Sequence, residues 1–288
     1  MKAQDKLKEI SRKLGNCGIE AAEKEAELLL SEGINMSRID MYKDNPELDD
    51  TQTQCLDKMI SRRCSREPLQ YIIGHIDFLG LSLEVGEGVL IPRPETELMA
   101  EHAIKLLGAR NTEQKSILDL CTGSGCVALA IAVKFPDALV YGVDISEKAV
   151  RYARTNAERN NVKNAFFYCG DLFSTVKKTK SFDLIISNPP YIKSDDIKDL
   201  QPEIRDWEPL NALDGGRDGL GYYREIVPAA RQILNDTGIL MLELGDGYAQ
   251  SLKEMFENSG YSSIEILKDY SGKERIIIAE PLQYNSKV

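Results

Sequence analysis

The sequence has little histidine and tryptophan, and its cysteines are not paired along the chain. Only two histidines and one tryptophan occur in 288 residues, and none of the six cysteines belongs to a Cys-x-x-Cys pair. Neither His75 nor His102 has ligand-like spacing from a cysteine. These absences predict no metal site and no disulfide framework, so that the cysteines are free and mostly packed thiols.

The sequence also lacks long apolar runs and an excess of positive charge. No run approaches the roughly 18 to 20 apolar residues that a membrane-spanning helix needs. The first residues lead into a charged helical pattern without the apolar core of a signal peptide, so we expect a cytoplasmic protein with no membrane contact. The formal net charge of −10 argues against general affinity for nucleic-acid phosphates, and we expect no direct nucleic-acid binding.

The first 94 residues present two patterns. Apolar residues recur at helical spacing in four segments separated by short loops, which predicts a small helical bundle over residues 1–70. Periodicity leaves open whether this bundle is a structural cap or binds a partner. In residues 71–94, aromatic and β-branched residues alternate around Gly80, and we expect a β-hairpin linker.

From residue 95 onwards, a helix is followed by alternating strands and helices, the pattern of a mostly parallel sheet. Residues 95–288 are therefore predicted to form one α/β domain. The last two strands are joined by a connector, residues 268–273, that is too short for a parallel crossover, so the last strand should be antiparallel. The predicted strands are Ser116–Leu120, Leu139–Val143, Ala165–Tyr168, Phe182–Ser187, Ile239–Leu244, Ser263–Leu267 and Arg275–Ala279.

A glycine-rich turn follows the first of these seven strands. Gly123 and Gly125 begin a Gly-x-Gly-x-x-Ala motif between a strand and a helix, which fits the dinucleotide-binding fingerprint. Asp144 ends the next strand, about 20 residues on, where a carboxylate can accept hydrogen bonds from ribose hydroxyls. Together these features predict a cofactor that contains adenosine.

The fourth strand ends in Asn188-Pro189-Pro190-Tyr191. Proline disfavours the α region for the residue before it, so Asn188 is held extended at the carboxyl end of the strand. Neither proline has an N–H group, which leaves the carbonyls here as free acceptors. This corner suits a planar amino or amide group held between two acceptors and stacked on Tyr191.

These motifs decide between cofactors. A nicotinamide enzyme needs a hydride-handling site, and none can be located, whereas the motif at Asn188 indicates methyl transfer from S-adenosylmethionine to a planar nitrogen. We expect Asp119 to meet the methionine ammonium group, with a polar contact from Asp171 and an apolar adenine wall from Leu172 and Phe173. The predicted cofactor-binding residues are Asp119, Cys121, Thr122, Gly123, Ser124, Gly125, Asp144, Asp171, Leu172, Phe173 and Asn188. The predicted catalytic residues are Asn188, Pro189, Pro190 and Tyr191.

Six stretches resemble the PrmC/HemK family, bacterial glutamine N(5)-methyltransferases that modify class 1 peptide chain release factors. The matching stretches are Tyr71–Gly74, Leu90–Glu97, Asp119–Gly125, Asn188–Tyr191, Asp214–Leu220 and Glu243–Gly245. The resemblance implies a class I, Rossmann-like methyltransferase fold, the glutamine of a Gly-Gly-Gln tripeptide as the target, and a helical domain that helps to grip the release factor. The family more often has glycine at Cys121, and some relatives have a tryptophan at Leu172.

Amide chemistry suggests how such a site would work. An amide nitrogen is a poor nucleophile because its lone pair is delocalised. We expect the side-chain oxygen of Asn188 and the carbonyl oxygen of Pro189 to accept hydrogen bonds from the two N–H groups of the substrate amide. These hydrogen bonds would aim the amide nitrogen at the methyl group. Tyr191 would stack on the amide plane, and the proton would leave to water after transfer.

Two other functions fit part of the pattern. An adenine N6-methyltransferase acting on DNA or RNA would use the same corner for an exocyclic amino group, but it needs a flipped base and a positively charged track. The acidic composition counts against it. A non-catalytic adaptor that binds a partner through the helical bundle would have no need of the complete set of motif residues.

Overall fold

The computed structural model describes residues 1–110, 115–176 and 181–283. The chain divides into two compact units: a helical unit of Met1–His75 with Gln201–Trp207, and a sheet unit of Ile76–Leu200 with Glu208–Val288. Among the described residues, no helix has the length and apolar character to cross a membrane.

The helical unit is a small bundle around an aliphatic core. Its helices are α1 (Ala3–Asn16), α2 (Ala22–Gly33), α3 (Arg38–Asp44), α4 (Asp50–Cys64) and α5 (Leu69–Ile73). Ile10, Leu29 and Leu56 are completely buried in this core. Asp49 begins α4 with a capping box, in which its side chain accepts from the N–H of Gln52 and the Gln52 side chain accepts from the N–H of Asp49.

Two expectations for this part of the chain are wrong. Cys17 and Cys64 form a disulfide with a Cα–Cα distance of 5.3 Å, so these two cysteines are not free thiols. The expectation failed because packing, and not local spacing, brings together residues 47 positions apart. The predicted hairpin also begins later, because Pro68 and left-handed Gly74 bound the one-turn helix α5.

The sheet unit contains a hairpin and a seven-stranded sheet. The strands are β1 (His75–Phe78), β2 (Leu81–Glu84), β3 (Ser116–Leu120), β4 (Leu139–Asp144), β5 (Ala165–Cys169), β6 (Phe182–Ser187), β7 (Leu234–Glu243), β8 (Tyr261–Lys268) and β9 (Glu274–Pro281). The first two form the hairpin, and the others have the order β5-β4-β3-β6-β7-β9-β8. β3 to β7 pair in parallel, and β9 is antiparallel to both neighbours. The predicted mostly parallel sheet with an antiparallel last strand is confirmed.

Helices cover both faces of the sheet. The covering helices are α6 (Pro94–Gly108), α7 (Cys126–Lys134), α8 (Glu147–Arg159), α10 (Gly221–Ile233) and α11 (Ala249–Asn258), and the short helix α9 (Pro202–Arg205) stands between α8 and α10 in the sequence. Helix α9 belongs to the helical unit, where Glu203 forms ion pairs with Arg63 and Arg66 at 2.9 and 2.8 Å. α7 is apolar on every side, and its residues from Cys126 to Ala132 are all buried. The carboxyl ends of the parallel strands meet at one edge, the place where open α/β sheets bind ligands.

Candidate active site

A cavity lies at the carboxyl ends of the parallel strands. Its lining brings together residues predicted from four separate motifs: Asp119, Cys121, Thr122, Gly123, Ser124, Asp144, Asp171, Leu172, Asn188 and Pro190. Four predicted site residues do not line it, namely Gly125, Phe173, Pro189 and Tyr191. The cavity wall also includes Val89, Leu90 and Pro92 from the loop before α6, and Pro209, Asn211 and Ala212 from the loop before α10.

The glycine turn has left-handed backbone at three positions. Gly123 and Gly125 have φ of 56° and 80°, and Cys121 has φ of 56°, a conformation that is costly for a residue with a side chain. A Cβ at Gly125 would lie 3.0 Å from the Cβ of Ala153 and 3.1 Å from the ring of Phe167. Gly125 therefore lets the helix approach the sheet, whereas Gly123 lines the cavity itself.

Asp119 is a buried carboxyl at the end of β3. One of its oxygens, Oδ2, accepts from the hydroxyl of Thr122 at 2.6 Å and from the N–H of Ala128 at 3.2 Å. Burial nevertheless raises the pKa of Asp119 to about 7. Both hydrogen bonds reach Oδ2, so the cavity-lining carboxyl can still receive a cation on its other oxygen.

Asp144 is fixed at the end of β4 by two backbone groups. Its Oδ2 accepts from the N–H of Gly123 at 2.9 Å, and its Oδ1 accepts from the N–H of Ser146 at 2.8 Å. Burial raises the pKa of this carboxyl too, while these hydrogen bonds oppose the shift. The carboxylate is therefore held in one orientation against the glycine turn, with lone pairs still available to hydroxyl groups.

Apolar residues close to the acidic side chains in sequence add to the apolar surface of the two loops. Ile145 lines the cavity directly after Asp144, and its side chain is 54% exposed. Leu172 also lines the cavity, whereas Phe173 packs into the core on one side of the sheet. Of the two residues predicted to cover adenine, the structure brings only Leu172 to the cavity.

The Asn188 corner is tied to a buried carboxyl that the sequence analysis did not assign to the site. Asn188 Nδ2 donates to Thr96 Oγ1 at 3.2 Å, and this hydroxyl donates to Glu243 Oε2 at 2.7 Å. The hydroxyl of Tyr191 lies 3.5 Å from the other carboxyl oxygen of Glu243. Glu243 is only 1% exposed, and burial raises its pKa to about 7. The signal for these two residues was present, since Thr96 and Glu243 both lie in stretches that resemble the family.

Tyr191 lies behind the cavity wall. A Cβ at Gly245 would come within 3.0 Å of the Tyr191 ring, so the ring packs against the bare backbone of that glycine. The hydroxyl of Tyr248 donates to the carbonyl of Tyr191 at 3.1 Å. Burial raises the pKa of Tyr191 well above its usual value, so its hydroxyl stays protonated and can donate. The predicted stacking of Tyr191 on a substrate amide stays a prediction.

An ion pair joins the two loops of the wall. Arg93 Nη2 lies 2.6 Å from Glu208 Oε1, and the Glu208 side chain is almost completely buried. The nearby Pro92 and Pro209 both line the cavity. This pair fixes the spacing of the loops before α6 and α10, and thereby the shape of the cavity.

The chemistry of the cavity suits a cationic, partly apolar ligand beside a planar nitrogen. It offers three carboxyls (Asp119, Asp144 and Asp171), apolar surface that includes Ile145 and Leu172, and an oriented amide at Asn188. Within residues 1–110, 115–176 and 181–283, no group of three or more His, Cys, Asp and Glu side chains is arranged to hold a metal ion.

Comparison with known proteins identifies relatives for both units. A family model described as "PrmC N-terminal domain" matches residues 5–74, and one described as "Methyltransferase small domain" matches residues 96–203. A release factor glutamine methyltransferase from Thermodesulfovibrio yellowstonii is 43% identical over 280 residues, which cover 97% of this chain and 98% of that protein. One from Geobacter sulfurreducens is 42% identical, covering 92% and 91% of the two chains.

A solved structure supports the fold. The methyltransferase from Pyrococcus furiosus superposes with a TM-score of 0.53 at 24% identity, covering 71% of this chain and 90% of that one. At this identity the similarity establishes a methyltransferase fold and nothing about the substrate.

Proposed function

Because the chain belongs to the release factor glutamine methyltransferase family, we propose that it transfers a methyl group from S-adenosyl-L-methionine to a glutamine of class 1 peptide chain release factors. The acceptor is the side-chain amide nitrogen in the Gly-Gly-Gln motif. The observation that carries this proposal is the orientation of Asn188. Its Nδ2 is engaged by Thr96, which leaves Oδ1 to accept from an amide substrate.

The residues around the cavity fit S-adenosylmethionine. Buried Asp119 suits the methionine ammonium group, because a cation offsets the cost of keeping that carboxyl ionised. Asp144 suits the ribose hydroxyls, and Asp171 offers a polar contact. Leu172 provides an apolar surface for adenine. When bound, the cofactor supplies an electrophilic methyl group on a positively charged sulfur.

The protein's task toward the glutamine is to position a weak nucleophile. Asn188 Oδ1 and the carbonyl oxygen of Pro189 would each accept a hydrogen bond from one N–H group of the amide and hold its nitrogen toward the methyl group. Such positioning can lower the activation free energy by several kcal/mol. As the nitrogen becomes positive, both acceptors bind it more strongly, which lowers the barrier further. The departing proton can pass to water once transfer is complete.

The helical unit is proposed to recognise the release factor. A tripeptide target is too small to supply a specific interface of roughly 800 Å² per partner. Residues 1–70 would add contact surface, residues 71–94 would serve as a linker, and residues 95–288 would carry the methyltransferase site. We expect this activity in the cytoplasm, where translation takes place.

Mass spectrometry of a release factor after incubation with the purified protein and S-adenosylmethionine tests the proposal. The expected product carries one methyl group on the glutamine of the Gly-Gly-Gln peptide. A release factor with that glutamine changed to alanine is the matched control and should remain unmodified. Duplex DNA is included as a competing substrate, and methylated adenine beside an untouched release factor would overturn the assignment.

A further inference from the structure

Three side chains form a continuous hydrogen-bonded chain that starts at the cavity, which Asn188 and Thr96 line, and ends at Glu243, which does not line it. Asn188 Nδ2 lies 3.2 Å from Thr96 Oγ1, which lies 2.7 Å from Glu243 Oε2. Thr96 and Glu243 are 3% and 1% exposed, so water has little access to either side chain. Both come from elements remote from Asn188 in sequence, since Thr96 is in α6 and Glu243 ends β7.

The donors and acceptors of this chain can be arranged in only one way when Glu243 is ionised. A carboxylate accepts and cannot donate, so the single hydroxyl proton of Thr96 must point to Glu243. The oxygen of Thr96 is then an acceptor toward Asn188, and only the NH2 end of the amide can satisfy it. The other end of the amide, Oδ1, is consequently turned away from Thr96.

Without this arrangement the amide could turn over. The two ends of an asparagine side chain have nearly the same shape, and only hydrogen-bond partners distinguish them. A threonine hydroxyl that is free to rotate could donate to Oδ1 instead. The corner would then present NH2 to the NH2 of the substrate glutamine, which sets donor against donor and leaves neither satisfied.

We propose that Thr96 and Glu243 are positioning residues that fix which end of the Asn188 amide faces the methyl acceptor. The inference rests on the proposed function, because it assigns to Asn188 Oδ1 the task of accepting from the glutamine amide. Neither residue needs to touch a reacting atom. Their effect is to keep the acceptor in its productive orientation before the substrate arrives.

The surroundings of Glu243 determine when this arrangement holds. Tyr191 faces one carboxyl oxygen and Thr96 the other, while Tyr223 donates to the backbone carbonyl of Glu243 at 2.8 Å. Glu95 on α6 opposes ionisation, and Arg275 on β9 favours it. Burial is the largest influence and brings the pKa of Glu243 to about 7. The carboxyl is therefore ionised above that pH and protonated below it.

Substitution of Thr96 tests the proposal. Thr96→Val keeps the shape of the side chain and removes the hydroxyl, so kcat on a release factor should fall at least about tenfold. The dissociation constant for S-adenosylmethionine should stay within about twofold of wild type, since valine keeps the shape of the cavity wall at Thr96. Thr96→Ser restores the hydroxyl and should recover most of kcat.

Tyr261→Phe is the matched control. It removes another buried hydroxyl of the sheet unit, one that donates to the carbonyl of Val227 at 2.9 Å outside the cavity lining. Its kcat should equal that of wild type even though its melting temperature falls. A Thr96→Val protein with wild-type kcat, or a Thr96→Ser protein as slow as Thr96→Val, would overturn the proposal. If wild type itself leaves the release factor unmethylated, the proposed function fails instead.

The pH profile supplies a readout that a purely structural role would not change. With both substrates saturating, wild-type kcat should fall as pH decreases through about 7, because protonated Glu243 can donate and no longer constrains Thr96. In Glu243→Gln, an amide oxygen can still accept from Thr96, but no proton is gained in this range. The pH profile of kcat for Glu243→Gln should therefore lack the fall near pH 7. A Glu243→Gln profile with the same fall as wild type would contradict the assignment.

Discussion

Asp119 and Glu243 are two buried carboxyls in the same unit, and burial raises the pKa of each to about 7. Their surroundings nevertheless differ. Asp119 lines the cavity, and its described hydrogen bonds meet at a single oxygen. Glu243 does not line the cavity, and hydroxyl groups of Thr96 and Tyr191 lie at both of its oxygens. Because burial raises the pKa of both carboxyls alike, their different roles follow from exposure to the cavity and from the hydrogen-bonding capacity that each carboxyl retains.

The largest effect should follow from removing Asn188, the hydrogen-bond acceptor that Glu243 is proposed to position through Thr96. Asn188→Ala should lower kcat by about 10²-fold or more, because a preorganised group aimed at the developing charge is lost. The affinity for S-adenosylmethionine should change little in comparison. Calorimetry and single-turnover assays separate the two quantities. Near-normal turnover would contradict the role of the Asn188 corner.

Asp119→Asn should produce the opposite pattern. Loss of a charged partner for the ammonium group should weaken cofactor binding by about 1.5 to 3 kcal/mol, with a smaller effect on kcat at saturation. The sign of the pH effect follows from the raised pKa. A cation favours ionised Asp119, so wild-type affinity should rise as pH increases to about 7 and then level off. Titration calorimetry should find no such rise in Asp119→Asn.

Asp144→Ala should weaken cofactor binding by about 2 kcal/mol, within the range for hydrogen bonds to a charged group. Because a ribose contact acts equally in the ground and transition states, kcat at saturating cofactor should be nearly unchanged. Asp144→Asn keeps one acceptor oxygen and serves as the milder comparison. An Asp144→Ala protein that binds S-adenosylmethionine as tightly as wild type would show that this carboxylate does not hold the ribose.

The smallest expected effect concerns the left-handed backbone of the glycine turn. Cys121 has φ of 56°, so Cys121→Gly should raise the free energy of unfolding by up to about 1 kcal/mol. Cys126 lies in ordinary helical backbone and is buried, so the same change there should lower it. Denaturant unfolding of both variants measures the contrast. A destabilised Cys121→Gly protein would show that the packing of the thiol outweighs the strain.

Much of the sheet could be predicted because its strands are short apolar runs with clear ends. β3 and β6 begin and end where the sequence predicted, since a proline pair or a glycine turn follows closely. β7 begins at Leu234 and not at Ile239, because Asn235 to Gly238 resembles a turn while Leu234 pairs with Phe182. Helix α11 was not predicted at all.

The site was predictable where its residues stand in local motifs, and less so where distant residues meet. Asp119, Gly123, Asp144 and Asn188 each end a strand or begin a turn, and topology gathers them at one edge. The hydrogen bond between Thr96 and Glu243 joins residues 147 positions apart, and no local sequence pattern predicts that these two side chains meet. The Cys17–Cys64 disulfide escaped prediction for the same reason.

The most direct test of the account is the position of the methyl group on a release factor treated with wild-type and Asn188→Ala protein. Peptide mass spectrometry should find one methyl group on the side-chain nitrogen of the Gly-Gly-Gln glutamine with wild type, and almost none with Asn188→Ala at the same time point. A methyl group on another residue, or equal methylation by both proteins, would contradict the assignment of Asn188 as the group that holds the glutamine.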